Sequence, residues 1–343
     1  MVRVLTVGTF TVDIVASDLP KVADPGEIVN VSTPIDLHVG GHAANVAIDL
    51  VKLGVKGEVY ACGAVGDDVF ARIIRDELSK YGIRFLPLII SEVGTARNAI
   101  LVVSGEDRRF HIYPGANKYL RPNHVLDTLK EVRPNYMYLA IGFSKYLDSE
   151  LGTILREASR LGTKVLLDIA RMSEHAIRAV KEVLGSTDFI HMNYLELSRL
   201  VGESDLVRCA RRISEYPKVL LAVTYGEGGV KALFRGSYII SQPSFKVGSK
   251  DPTGAGDAFS AGIISYLINY LGSDFSRLST EVTVKLLMYA QAAGASATLS
   301  PGATTSVSSE VVESLIESQG NYVLSSTKVY DLEGKVISYF SYH

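Results

Sequence analysis

Two hydrophobic periodicities alternate along this chain. Residues 2–7 are a short apolar run ending at Gly8 and predict a strand, whereas GGHAANVAIDLVKLG (40–54) sets Ala, Val, Ile and Leu at helical spacing. The exchange repeats: strand 58–65, amphipathic helix 67–82, strand 135–142, helix 148–162, strand 163–170, helix 173–184, strand 188–193, helices across 195–214, strand 218–226. Such alternation predicts a largely parallel sheet with helices on both faces. Residues 26–39 and 94–113 break the rhythm, being β-rich with no helix between, and Gly105 and Glu106 supply a hairpin turn. These segments are either edge hairpins or a small second sheet covering the carboxyl ends of the main strands, where open α/β sheets bind ligands. The tail, 322–343, contains KVYDLEGKVISYF, a two-strand hairpin turning at Glu333 and Gly334. With no repeat or Pro/Ser-rich linker, one discontinuous unit over 1–321 with an extension at 322–343 is expected.

Composition narrows the partner. Of 343 residues, 47% are hydrophobic and the formal net charge is -2, so no strong field faces nucleic acid or anionic lipid. A small molecule is the expected ligand, with neither nucleic acid nor membrane as partner. Cys62 and Cys209 lack metal-ligand or CxxC spacing and read as small core residues. MVRVLTVG enters a strand without the features of a secretory leader, so a cytoplasmic location is expected.

Four stretches carry chemistry. In DPTGAGDAFSAG (251–262), Gly254, Ala255 and Gly256 expose backbone N–H groups where a strongly helical segment begins, a candidate anion cradle. The GxxxxGK[ST] spacing of a P-loop is absent. Asp257 beside the cradle suits a general base, or else it caps the helix. In VGGHAAN (39–45), Gly40 and Gly41 permit a tight helix entry, and Asn45 offers an amide to sugar hydroxyls or to internal packing. His42 reads as a surface or packing histidine. In MNYLE (192–196), Asn193 and Glu196 stand one helical turn apart, able to orient a hydrated Mg²⁺ or to form a capping box. The glycines of YGEGGV (225–230) line a flat ligand or only a turn.

Together with Asp13 in GTFTVDIV, PGE (25–27), GDD (66–68) and PGAN (114–117), these stretches resemble the ribokinase family, the PfkB carbohydrate kinases. The likeness runs from about residue 4 to residue 307, and the DPTGAGD and GG..AN stretches are specific in combination. It implies a ribokinase-like three-layer α/β/α sandwich with a mostly parallel central sheet and a β lid at about 26–39 and 94–113. It implies ATP-dependent, Mg²⁺-requiring phosphoryl transfer to a primary hydroxyl of a sugar or sugar-like molecule. Asp257 would be the base and Gly254, Ala255 and Gly256 the anion hole; Asp13, Gly41 and Asn45 would hold acceptor hydroxyls. Thr224, Gly226 and Gly229 would lie along the nucleotide, Asn193 and Glu196 would orient Mg²⁺ through water, and Asp251 with the loop 300–306 would hold a monovalent cation such as K⁺.

Two departures matter, the first for the metal and the second for the substrate. Tyr194 stands where the family's magnesium motif usually has a glutamate, and the acidic residue expected after the mid-chain strand is missing from YLAIGF (138–143). Phe143 there resembles the base-stacking aromatics of the family's nucleoside kinases, so a nucleoside acceptor is the alternative, and a non-catalytic sugar or nucleotide sensor a second. A homodimer through the lid is a further expectation.

Overall fold

Runs of Val, Ile and Leu that bury both faces build the centre of the protein. The structure, a computed structural model, describes residues 1–106, 108–210, 213, 216–272 and 275–339. Its strands are β1 (Val2–Val7), β2 (Thr11–Leu19), β3 (Ile35–Gly40), β4 (Gly57–Gly66), β5 (Arg84–Ile90), β6 (Arg97–Val103), β7 (Arg109–Tyr113) and β8 (Tyr136–Ile141). Then come β9 (Lys164–Ile169), β10 (Phe189–Asn193), β11 (Leu220–Thr224), β12 (Val230–Phe234), β13 (Tyr238–Gln242), β14 (Lys328–Asp331) and β15 (Val336–Tyr339). The helices are α1 (His42–Lys52), α2 (Val69–Lys80), α3 (Pro122–Val132), α4 (Lys145–Ser149), α5 (Leu151–Arg160) and α6 (Glu174–Val183). They continue with α7 (Tyr194–Val201), α8 (Leu206–Cys209), α9 (Ala255–Tyr266), α10 (Thr280–Ala297) and α11 (Ser309–Ser325).

The main sheet has the order β15-β14-β13-β12-β11-β10-β9-β8-β1-β4-β5, parallel from β11 to β5 and antiparallel from β11 to β15. In β8 all six residues are buried: Tyr136, Tyr138 and Ala140 face the core shared with α1, α9 and α10, while Met137, Leu139 and Ile141 face that of α3 to α6. A strand covered on both sides has no polar alternation, which is why it reads as a continuous apolar run. α11 extends through residue 322, and β14 pairs with β13, so the tail hairpin enlarges the main sheet. Residues 340–343 lie outside the described part, as do 211, 212 and 214 of the helical stretch expected at 195–214.

A four-stranded sheet, β3-β2-β6-β7, stands apart. It realises the two irregular segments as a second sheet, with β6 and β7 forming the antiparallel hairpin around Gly105. Two expectations need correction. Only Ile35–Gly40 of residues 26–39 is a strand; Pro34 has no N–H to give a ladder, and the exposed stretch before it stays irregular. The helix expected over 148–162 is two, α4 and α5, meeting at Glu150 with φ -113°. There Asp148 is drawn inward by Gly142 N–H (3.0 Å) and His175 Nδ1 (2.5 Å), and the chain re-aims after it.

Candidate active site

α9 begins at Gly254, whose φ of +81° only glycine adopts without strain, and a Cβ there would lie 2.3 Å from the Ala303 carbonyl oxygen. The first intrahelical bond is Ala258 N–H to Gly254 C=O, 2.8 Å. Ahead of it the N–H groups of Gly256 and Asp257 have no intrahelical acceptor and open at the helix mouth. The Ala255 N–H instead donates to Pro252 C=O (3.3 Å), so of the three residues expected to form a cradle, 254–256, the amide of Ala255 is already committed.

Asp257 does not cap α9; the cap position has no side-chain bond. The residue is buried, 8% exposed, and its carboxylate accepts a hydrogen bond from Asn45 Nδ2 (2.7 Å) and lies 3.5 Å from His42 Nδ1. Burial pushes its pKa above the ordinary aspartate value, against the lowering effects of His42 and Asn45. His42, expected on the surface or in packing, is the first residue of α1, directly after the glycine pair, and its half-exposed ring lies beside Asp257. Behind them Asp49 is fully buried with both oxygens unpartnered among the described residues, and burial favours its neutral acid.

Two cavities flank Asp257. One, of about 810 Å³, is lined by His42, Asn98 and Phe143, by Thr9 and Thr11, and by residues following β8 and β9, so the small sheet roofs the carboxyl ends of the main strands. Asp13 accepts from Asn98 Nδ2 (2.7 Å), and its Oδ2 and Asn45 Oδ1 converge on Gly40. Burial raises the Asp13 pKa despite Asn98 and His38. Gly41 carries the turn that brings Asn45 inward. The Oδ1 atoms of Asn45 and Asn98 are buried acceptors without a partner among the described residues.

The other cavity, about 920 Å³, is lined by Thr224, Gly226 and Gly229, and by Ala255 and Gly256 of the helix mouth. Asp257, next to Gly256 and 3.5 Å from His42, therefore adjoins lining residues of both cavities. Asn193 and Glu196 form the capping box: Asn193 Oδ1 accepts from Leu195 N–H (2.9 Å) and Glu196 N–H (3.0 Å), and Glu196 Oε2 accepts from Asn193 N–H (2.7 Å). Asp251 accepts from Thr253 N–H (2.8 Å), from Gly302 N–H (3.2 Å) and from the guanidinium of Arg108, which also donates to Thr253 Oγ1 (2.5 Å). Arg108 comes from the turn between β6 and β7, so the small sheet touches the loop that precedes the helix mouth.

A sequence comparison assigns residues 1–310 to the profile of the pfkB family carbohydrate kinases. The chain belongs to that family. It is 27% identical over 279 residues to a fructokinase of Klebsiella pneumoniae, covering 78% of this chain and 88% of that one. Its fold matches a Thermotoga maritima ribokinase with TM-score 0.71 at 24% identity, over 92% of this chain and 100% of that one. A crystal structure from E. coli in complex with ATP and Mg²⁺ matches with TM-score 0.75 at 22% identity, over 93% and 100%. The protein is a carbohydrate kinase with a ribokinase-like fold.

In this kinase the donors available to Mg²⁺ are hard oxygens, the type that ion selects. Glu196 carries a pKa pushed up to about 7, first by burial and then by the nearby Asp168, with Asn193 N–H opposing. A carboxyl so placed gains from a cation beside it, so the residues present fit a hydrated Mg²⁺. Tyr194 takes no part: it is exposed and stacks on Tyr225, 5.9 Å between centroids. Reading by motif missed a buried cluster near Asp257. Asp168 Oδ2 accepts from Ser260 Oγ (2.9 Å) and Tyr138 OH (3.1 Å), and His191 Nδ1 lies 3.3 Å away. Burial opposes charge on His191, yet Asp168 outweighs it and raises the pKa. These residues come from β8, β9, β10 and α9, so no local spacing announces them. Among the described residues no helix is long and apolar enough to cross a membrane.

Proposed function

We propose that the kinase transfers the γ-phosphoryl group of ATP to a primary hydroxyl of a sugar or sugar-like molecule, with Asp257 as general base. The observation that carries this is a buried carboxylate of raised pKa, held by Asn45 rather than spent on a helix cap, between two cavities. The acceptor oxygen bonds to the γ-phosphorus as the bond from that phosphorus to the β,γ-bridging oxygen breaks. The hydroxyl proton passes to Asp257, and ADP leaves. The Gly256 and Asp257 amides would stabilise charge on the transferring group. Mg²⁺, when bound, neutralises phosphate charge; Asn193 and Glu196 would hold its waters. Asp13, Asn45 and the Gly41 turn would position acceptor hydroxyls, which the unpartnered Oδ1 atoms of Asn45 and Asn98 suit as acceptors. Thr224, Gly226 and Gly229 would follow the nucleotide.

The small sheet would act as a lid that excludes water, with Arg108 as its contact to the catalytic loop. K⁺ at Asp251 and the loop 300–306 would compete with Arg108 for that carboxylate. Exposed Ile35 and Leu37 on β3, and Ile112 on β7, support a homodimer through the lid. A cytoplasmic location agrees with the family's chemistry. Phe143 in the acceptor cavity supports a nucleoside as the second reading.

The test is a coupled assay for ADP release with Mg²⁺ and ATP against free sugars, sugar acids, phosphosugars and nucleosides. Acceptor-dependent turnover is expected; ADP release that no acceptor accelerates would reject the proposal. Glu196→Gln preserves the cap bond while removing the charge. It should raise the Mg²⁺ concentration needed for half-maximal ATP binding by about tenfold, read by calorimetry, with little change in melting temperature.

A further inference from the structure

The acceptor cavity has a charge that the chain as a whole lacks. The protein holds 35 Lys and Arg against 37 Asp and Glu, yet among the described residues this cavity is lined by Lys118, Lys145 and Arg171, with His42 and His175, while the carboxylates that adjoin it, Asp257 (3.5 Å from His42) and Asp13 (bonded to Asn98, 2.7 Å), are not among its lining residues. Lys118, Lys145 and Arg171 are exposed at the cavity and form no salt bridge among the described residues. Lys145 lies over the Tyr146 ring at 5.3 Å, where Arg121 also packs, at 3.8 Å. Asp148, a buried carboxylate of α4, is spent on Gly142 N–H and His175. Glu174, the acidic neighbour at the start of α6, is not among the lining residues.

The placement of Arg171 is built into the fold. β8 and β9 run side by side, Ile141 opposite Ile169, and their carboxyl ends lead into Gly142 and Arg171. Gly142 has φ +95°, and a Cβ there would lie 1.9 Å from the Arg171 carbonyl oxygen. Only glycine lets the two turns touch, so Arg171 is fixed beside the opening of the cavity. Ser173 caps α6 through Ala176 N–H (3.2 Å) and lies 3.1 Å from His175 Nδ1, which adds the amino end of a ten-residue helix to the same wall. Cations without counter-ions around a concave site favour an anionic ligand and repel a cationic one.

We propose that the acceptor is an anionic sugar, a sugar phosphate or a sugar acid, whose anionic group sits among Lys118, Lys145 and Arg171 while its free hydroxyl faces Asp257. This rests on the kinase reading above. The step is unchanged: the hydroxyl oxygen gains the γ-phosphoryl group, its proton goes to Asp257 and ADP leaves. The anionic group is bound without reacting. The missing acidic residue after β8 has the same sense, since a carboxylate there would repel such a substrate.

The test compares kcat/KM within matched pairs: ribose with ribose 1-phosphate, fructose with fructose 6-phosphate, and glucose with gluconate. In at least one pair the anionic member should be preferred by about a hundredfold at low salt, and less at high salt. A phosphate pair or the gluconate pair giving that preference identifies which anion is taken. In the double variant Lys145→Gln/Arg171→Gln that preference should shrink by about tenfold or more, with the KM for ATP little changed. Neutral members equal or better in every pair, or a preference that survives the double variant, would overturn the inference and leave the kinase reading standing. If no acceptor supports turnover, the kinase reading fails. Calorimetric titration of the same anionic sugars, with a non-hydrolysable ATP analogue present, then decides the subsite: binding that needs Lys145 and Arg171 supports it, and no binding rejects it.

Discussion

Asp257→Asn should lower kcat by about 10² to 10⁴-fold while ATP binding is retained, because the amide keeps the shape of the carboxylate and loses the proton acceptor. Asn45 Nδ2, which donates to Asp257 Oδ2 at 2.7 Å, can still donate to the amide oxygen, so the helix mouth should hold its geometry. The measurement is ADP release under saturating acceptor, with nucleotide binding by calorimetry and melting temperature as controls. Turnover near that of the wild type would remove Asp257 from the role of base. The wild type carries a related signature. A base works deprotonated, and burial raises the Asp257 pKa above the ordinary carboxylate value. Turnover should therefore fall as pH drops through that raised pKa, at a higher pH than an exposed aspartate would give, and the limb should vanish from the residual activity of Asp257→Asn.

The second large effect is expected at Gly254. Gly254→Ala forces a side chain onto a backbone at φ +81° and brings its Cβ within 2.3 Å of Ala303 O and 2.7 Å of Ala303 Cα. Such strain costs about 1–3 kcal/mol, and relieving it means moving either the loop 300–306 or the start of α9. The amides of Gly256 and Asp257 would move with the helix start. A displacement of about 1 Å suffices to cost about 10²-fold in kcat, so turnover should fall at least that far alongside a lower melting temperature. A variant that loses stability but keeps kcat would show that the amides at this helix mouth do not stabilise the transferring group.

Much of the architecture was legible locally. The strand β8 and the helix α2 are visible because burial on two faces or one imposes a continuous or a 3.6-residue apolar pattern. The helix mouth was legible as well, since small residues before an apolar helix mean close backbone approach. The division of roles within it was not: Ala255 N–H goes to Pro252 C=O, a matter of loop geometry that the residue types do not express. The neighbour of His42 was not legible for the opposite reason, as Asp257 lies 215 positions away in the chain and comes beside it only when α1 packs against α9.

The sequence by itself determined the alternation of strands and helices, the two β-rich breaks in it and the glycine-led helix starts, all properties of neighbouring residues. Tertiary structure alone decided what those pieces do together. It set Asp257 against Asn45, reached Arg108 across to Asp251, and gathered Asp168, His191 and Ser260 near Asp257. It also collected Lys118, Lys145 and Arg171 around one cavity in a chain of nearly balanced charge. Charge and hydrogen bonding act through distances of a few ångströms, and folding, not chain order, sets those distances.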